Sequence, residues 1–173
     1  MRSEVEASAM AEVAGIWAAY GVDVRASSEN DGGRDGAVRL VVALADDRAK
    51  HLAAGALGSI QFVDGVPRPA IVMYPEAIDA LVSSATVAGL NERQLTIKLR
   101  DLIVGRVFGR ALAHEIGHYL LRSRGHSDTG LMRPLQFTNE LVGEDRRLFA
   151  LSADQATQLR SVLAQITRVD NRS

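Results

Sequence analysis

None of the 173 residues is a cysteine. That absence excludes disulfides, thiolate nucleophiles and cysteine-type zinc sites, and it leaves the compartment open. No apolar run is long enough to span a bilayer, so no membrane partner is expected. An excess of one charge is missing too: the formal net charge is −1, which gives no electrostatic argument for nucleic acid or an anionic surface as partner. The arginines between Arg93 and Arg147 are interspersed with acidic residues and read as a solvated helix face. Internal repeats and low-complexity tracts are also absent. The opening residues, Met1-Arg2-Ser3-Glu4-Val5-Glu6, have the wrong chemistry for a signal peptide. The expectation is a cytoplasmic protein unless a signal has been trimmed.

What is present is ordinary in bulk. Hydrophobic residues make up 47% and charged residues 24%, within the range of soluble globular proteins, and the length fits one domain with a real core. From about Glu4 to Tyr20 the chain is Ala-rich, with Val5, Ala9, Val13, Ile16 and Trp17 at helical spacing. Ser3 with Glu6 predicts a capping box for this helix, and Gly21 its end, before an extended stretch over Val22 to Ala26. A polar loop runs from Ser27 to Gly36, followed by a valine-rich run, Val38 to Leu44, that reads as a buried strand. Arg48 to Ala54 is a short helical or irregular piece.

Leu57 to Val63 and Ala70 to Tyr74 are the clearest strands, and Asp64-Gly65 between them favours a hairpin. Pro67 and Pro69 place part of this unit on a sheet edge. From Asn91 the period becomes helical, with Asn91 and Gln94 as a capping box and Leu95, Leu99, Leu102, Ile103 and Val107 on one face. This long helix is predicted to end near Arg122 to Gly125. Ser152 with Gln155 caps a last helix carrying Ala156, Leu159, Leu163 and Ile166. The order of helix, strands, long helix, loop and helix predicts an α+β fold in one piece.

The long helix carries His114-Glu115-Ile116-Gly117-His118, an H-E-x-x-H. Histidines four apart lie one above the other on a helix face, close enough to share one metal. Glu115 sits about a third of a turn round, where its carboxylate reaches a water on that metal. Neutral imidazoles suit Zn²⁺, and a catalytic zinc keeps three protein ligands and an open position. The alternative, a helix with two unrelated histidines, is uneconomical, because three of only four histidines fall between His114 and His126. His51 lies far upstream and reads as a surface histidine.

Gly105, Gly109, Ala113 and Gly117 form a second stripe every four residues, which predicts close docking of the helix against the sheet. Arg106 and Arg110 share the His114/His118 stripe, and either line the cleft or are solvated.

Two residues compete as third ligand: His126, in R-G-H-S-D-T-G-L-M-R-P, and Glu140, in T-N-E-L-V-G-E-D with Glu144 behind it. His114-Glu115-x-x-His118, His126-Ser127 and Gly130-Leu131-Met132-Arg133-Pro134 together resemble the metzincin clan, closest to its matrixin-type members. That resemblance implies His126 as third ligand, Met132 as the methionine of a tight turn beneath the metal, and a single zincin-like domain over residues 1–173 with a small mixed sheet.

The chain departs from the clan's H-E-x-x-H-x-x-G-x-x-H. Leu121 stands at its glycine, Arg124 at its third histidine, and His126 comes two residues late. A helix half a turn longer, ended by Gly125, would accommodate the shift. The string His-Glu-Ile-Gly-His-Tyr-Leu-Leu is also similar to the ImmA/IrrE group of regulatory metallopeptidases, which implies a gluzincin-like site with Glu140 as ligand. That reading leaves the H-S…G-L-M-x-P segment unexplained.

The expected function is therefore a zinc-dependent peptidase acting on a peptide or protein substrate, with one Zn²⁺ and Glu115 as general base. The Leu57–Val63 strand is the expected edge along which substrate adds. Tyr119 and Arg133 are near the motif without an assigned role in stabilising an oxyanion, and Asp128 is the candidate partner of the histidines. A non-catalytic zinc-binding module is the competing class, and it predicts four protein ligands.

Overall fold

Helix formation at the N-terminus follows the apolar spacing. In the computed structural model, which describes residues 1–27, 37–45, 55–87, 89–134 and 138–170 with side chains to residue 165, α1 spans Ser3–Ala18 and buries Val5, Ala9, Val13, Ile16 and Trp17. The predicted capping box does not form. Arg2 is the N-cap, without a side-chain cap, and Ser3 Oγ turns to Glu4 instead. At the other end Gly21 takes φ +72°, the left-handed conformation that glycine adopts without a Cβ clash. No ladder forms over Val22 to Ala26.

Three strands make a mixed sheet in the order β1-β3-β2. β2 (Gly58–Val63) and β3 (Val66–Met73) are an antiparallel hairpin. Its turn residues Asp64 and Gly65 both have positive φ, the two-residue geometry whose twist matches that of the strands. β1 (Val41–Leu44) pairs parallel with Ala70–Met73. Val66 to Pro69 therefore has a strand on one side only, which is how Pro67 and Pro69 are tolerated in a middle strand.

The expected buried strand at Val38 to Leu44 is corrected on two counts. Pairing covers only Val41–Leu44, and Val41 is 61% and Leu44 50% exposed. The reason is position: β1 is an outer strand, whereas α3 packs under β2 and β3. His51, the piece from Arg48 to Ala54 and all but the first residue of the Ser27–Gly36 loop lie outside the described residues.

α2 (Pro75–Ser84) follows β3 directly, with Pro at its start, where a missing N–H costs nothing. The Asn91/Gln94 pair opens a 3₁₀ turn over Glu92–Gln94 rather than the long helix. That helix, α3, spans Ile97–Leu120 and starts on Thr96, whose hydroxyl accepts from Leu99 N at 3.2 Å. α4 (Thr138–Val142), a second 3₁₀ turn (Arg146–Phe149) and α5 (Ala153–Asp170) complete the chain. The Ser152/Gln155 capping box on α5 is made in both directions, at 3.2 and 3.0 Å. Leu159 is buried beneath α5, and the Ile166 side chain lies outside the described residues. The described residues thus form an α+β domain around one core.

The glycine stripe of α3 faces α1, not the sheet. A β-carbon on Gly105 would stand 2.6 Å from Val5 O, and one on Gly109 2.5 Å from Ala9 O. These separations are below any real Cβ contact, so the helix gives up about 1 kcal/mol of propensity per glycine to let the two backbones meet. Leucine-based ridges would have kept the axes at the usual 8–10 Å.

Arg110 is neither cleft-lining nor solvated. Its guanidinium is fully buried, donates to Glu12 Oε1 at 2.8 Å, and donates through Nη1 to the carbonyls of Glu140, Leu141 and Gly143 at 2.7–3.0 Å. It closes the C-terminal end of α4, where backbone carbonyls lack helical partners. Arg106 similarly donates to Val142 O at 2.8 Å. No helix among the described residues is long and apolar enough to cross a membrane.

Candidate metal centre

His114 and His118 lie four residues apart on α3 and present their rings to the same side. His118 Nε2 is 3.0 Å from His114 Nε2, and His126 Nε2 is 3.3 Å from His114 Nε2. The ligand atoms of all three lie within 4.8 Å of one another.

The tautomers follow from the other ring nitrogens. His114 Nδ1 is 2.7 Å from Leu131 O and His118 Nδ1 is 2.7 Å from Ser123 O. A carbonyl oxygen only accepts, so each Nδ1 carries the proton and each Nε2 presents a lone pair. Lone pairs from adjacent imidazoles aimed at one point repel unless a cation lies between them. Two nitrogens about 2.0–2.1 Å from a shared ion, at the tetrahedral angle, stand about 3.3 Å apart. The observed separations fit that spacing. His114, His118 and His126 could therefore hold a metal ion.

Protonation would compete with such a cation, and the surroundings disfavour it. Burial, partly opposed by the bond to Leu131 O and helped by the two neighbouring histidines, lowers His114 to about 4. Burial likewise lowers His118, with the Ser123 carbonyl opposing. His126, by contrast, is exposed, which leaves the third position at the mouth of the site.

Glu115 is buried at 6% exposure, and desolvation pushes its carboxyl up to about 7. Its Cγ lies 3.1 Å from where a β-carbon of Gly58 would stand. Edge strand β2 thus starts directly beside this carboxyl. No motif marks Gly58 in the sequence, although a glycine inside a strand pattern signals close backbone approach.

The chain reaches His126 by an earlier turn than expected. α3 ends at Leu120, and Arg122, not Gly125, takes the left-handed conformation at φ +49°. Ser123 N then donates to His118 O and Arg122 N to Tyr119 O, each at 3.2 Å. This is the Schellman pattern. It brings the Ser123 carbonyl to His118 Nδ1, so a helix-ending turn also fixes the orientation of that ring.

A second turn supports the His114 ring. Gly130 (φ +77°) to Arg133 is closed by Arg133 N donating to Gly130 O at 3.3 Å. Leu131 O accepts from His114 there, and fully buried Met132 packs its sulfur against Gly117, three positions further along α3. Ser127 N donating to Met132 O at 2.9 Å ties the two turns together.

Several expected residues fall elsewhere. Glu140 does not join the cluster: its carboxylate is paired with Arg133. Glu144 is 92% exposed and 4.0 Å from Arg106. Asp128 is exposed, and backbone carbonyls hold the two buried histidines in its stead. Tyr119 is half-buried and packs on the core.

Comparison of the chain with protein-family models, curated proteins and solved structures returns no match.

Proposed function

We propose that this chain is a zinc metallopeptidase of metzincin type, a single zincin-like domain with His114, His118 and His126 as ligands and Glu115 as general base. One observation carries the reading: three imidazole Nε2 atoms converge, and the residue next to His114 on the helix is the buried Glu115, whose carboxyl is raised to about 7. Three neutral nitrogens on an α-helix and a loop suit Zn²⁺ and leave a fourth position free. When bound, zinc supplies Lewis acidity, lowering the pKa of a coordinated water towards about 7 and polarising a carbonyl.

The remaining work belongs to the chain. Glu115 takes a proton on its carboxylate and returns it to the leaving amine, and an acid near neutrality suits both steps at physiological pH. Leu131 O and Ser123 O hold the imidazole rings in the ligating tautomer. β2, at the sheet edge and in contact with Glu115 through Gly58, is the strand along which an extended peptide adds. Met132, in its turn beside the helix, takes the part of the methionine in that clan.

Zinc content and peptide-library cleavage, measured together, test the reading. Glu115→Ala keeps the metal and loses most turnover, by about 10²-fold or more. His118→Ala loses both. Undiminished cleavage by Glu115→Ala would remove the mechanism, and a zinc-loaded wild type without cleavage would leave a metal-binding module.

A further inference from the structure

Arg124 stands two residues before His126, in the loop that delivers the exposed third histidine. Its Nη2 donates to Phe62 O at 3.1 Å, and its guanidinium lies 4.9 Å from the Phe62 ring centroid. Phe62 belongs to β2, more than sixty residues upstream. Its carbonyl is accessible for a reason of register. Val63 and Val66 close the two-residue turn, so the next pair, Phe62 and Pro67, has its polar groups facing away from the partner strand. Pro67, which has no N–H, fits that position.

The same loop is held elsewhere by its own backbone. Ser123 is fixed by the turn after α3, Gly125 N donates to Ser123 Oγ at 3.1 Å, and Ser127 N donates to Met132 O. These bonds position the segment against α3 and the following turn. Arg124 ties it to the sheet. His126 lies between these anchors, exposed, with its ring against those of His114 and His118, so the loop must deliver it to that position.

We infer that Arg124 is a positioning residue for the third metal ligand, clamping the His126 loop to edge strand β2 through the Phe62 carbonyl and ring. The inference rests on the three histidines being a metal centre. The clamp ties the order of β2 to the order of the third ligand, although the two are far apart in sequence. Paired hydrogen-bonding and cation–π contact to one residue give it direction as well as attraction.

The test uses the full chain and zinc alone, with affinity read by competition against a chromophoric chelator. Wild type, Arg124→Ala, His126→Ala and the double variant form a cycle, and the melting temperature of each metal-free protein is measured beside it. Arg124→Ala is expected to weaken zinc by about tenfold or more, with a metal-free melting temperature close to wild type because the side chain is exposed. In the His126→Ala background the same change is expected to have little further effect. Phe62→Leu, which removes the ring and spares the carbonyl, gives a smaller loss in the same direction.

Wild-type affinity in both Arg124→Ala and Phe62→Leu overturns the inference. So does an equal loss with and without His126, because the effect would then not pass through the third ligand. If His126→Ala alone binds zinc as wild type does, the three-histidine centre itself fails, and that result is visible in the single variant.

Discussion

Gly117 of α3 and Met132 are in direct contact: a β-carbon at position 117 would overlap Met132 Sδ and stand 3.2 Å from its Cε. Gly117 lies between the two helical histidines in sequence, while Met132 follows the residue whose carbonyl fixes His114. The missing side chain at 117 is thus filled by the sulfur of the turn at 130–133, and any expansion there displaces the support of the His114 ring.

Gly117→Ala gains helix propensity but must push Met132 outward, and overpacking of this kind costs about 1–3 kcal/mol. The expected outcome is a lower melting temperature together with weaker zinc binding. In a Met132→Ala background the same substitution costs much less, since the sulfur it strikes is gone. Equal costs in the two backgrounds would show that the contact is not what limits position 117.

Glu115 gives a pH dependence with a definite sign. In the metal-free protein its carboxyl is pushed from 4.5 up to about 7 by burial. The fold therefore favours the protonated form, and that contribution is complete below the unfolded value and lost as pH rises through about 7. Glu115→Gln imitates the protonated form at every pH. Thermal melts of both metal-free proteins should converge near pH 5 and separate by several degrees at pH 8, with the variant the more stable. His114 is common to both proteins and cancels from the difference.

Glu12 has the opposite sign. Burial would raise its carboxyl, but hydrogen bonds from Arg146 and Arg110, with their charges, hold it below its ordinary value. Its stabilisation is present above the unfolded value near 4.5 and is lost as pH falls through the lower folded value. Wild type should lose its advantage over Glu12→Gln as urea unfolding is repeated at successively lower pH below 4.5. Removing Arg110 instead, as Arg110→Met, leaves Glu12 with Arg146 alone and takes the donor from three carbonyls, and should cost about 3 kcal/mol at pH 7.

Arg122 sits at φ +49° in the turn that brings Ser123 O to His118. A residue with a β-carbon is strained there, and Arg122 is exposed with no packing to offset it. Arg122→Gly is expected to stabilise the protein by about 0.5–1 kcal/mol and leave zinc affinity unchanged. A loss of stability would mean that the arginine side chain holds the turn.

The elements that sequence made legible are those whose causes are local. The Asp64-Gly65 hairpin, the Ser152/Gln155 cap and the helix through His114 and His118 each depend on residues within a few positions. The misread elements depend on neighbours far along the chain. Ser3 has the right chemistry for a cap, yet the role falls to Arg2; Asn91 does form its box with Gln94, but on a 3₁₀ turn, and Thr96 starts the long helix. The valines of β1 have the composition of a core strand, but strand order leaves β1 outside the cover of α3. A stripe of glycines announces a close neighbour without saying which, and that neighbour is α1.

Sequence alone determined that two histidines and Glu115 share one stretch of helix, because a spacing of four on a 3.6-residue period places both imidazoles on the same face. It also left His126 and Glu140 as rivals. Tertiary structure alone decided that His126 meets the pair while Glu140 turns to Arg133, and that Leu131 and Ser123 supply the carbonyls that fix the rings. Those outcomes follow from two turns anchored against α3, α1 and the sheet, each by contacts worth about a kcal/mol. Contacts of that size between distant residues leave no mark in any local window of sequence.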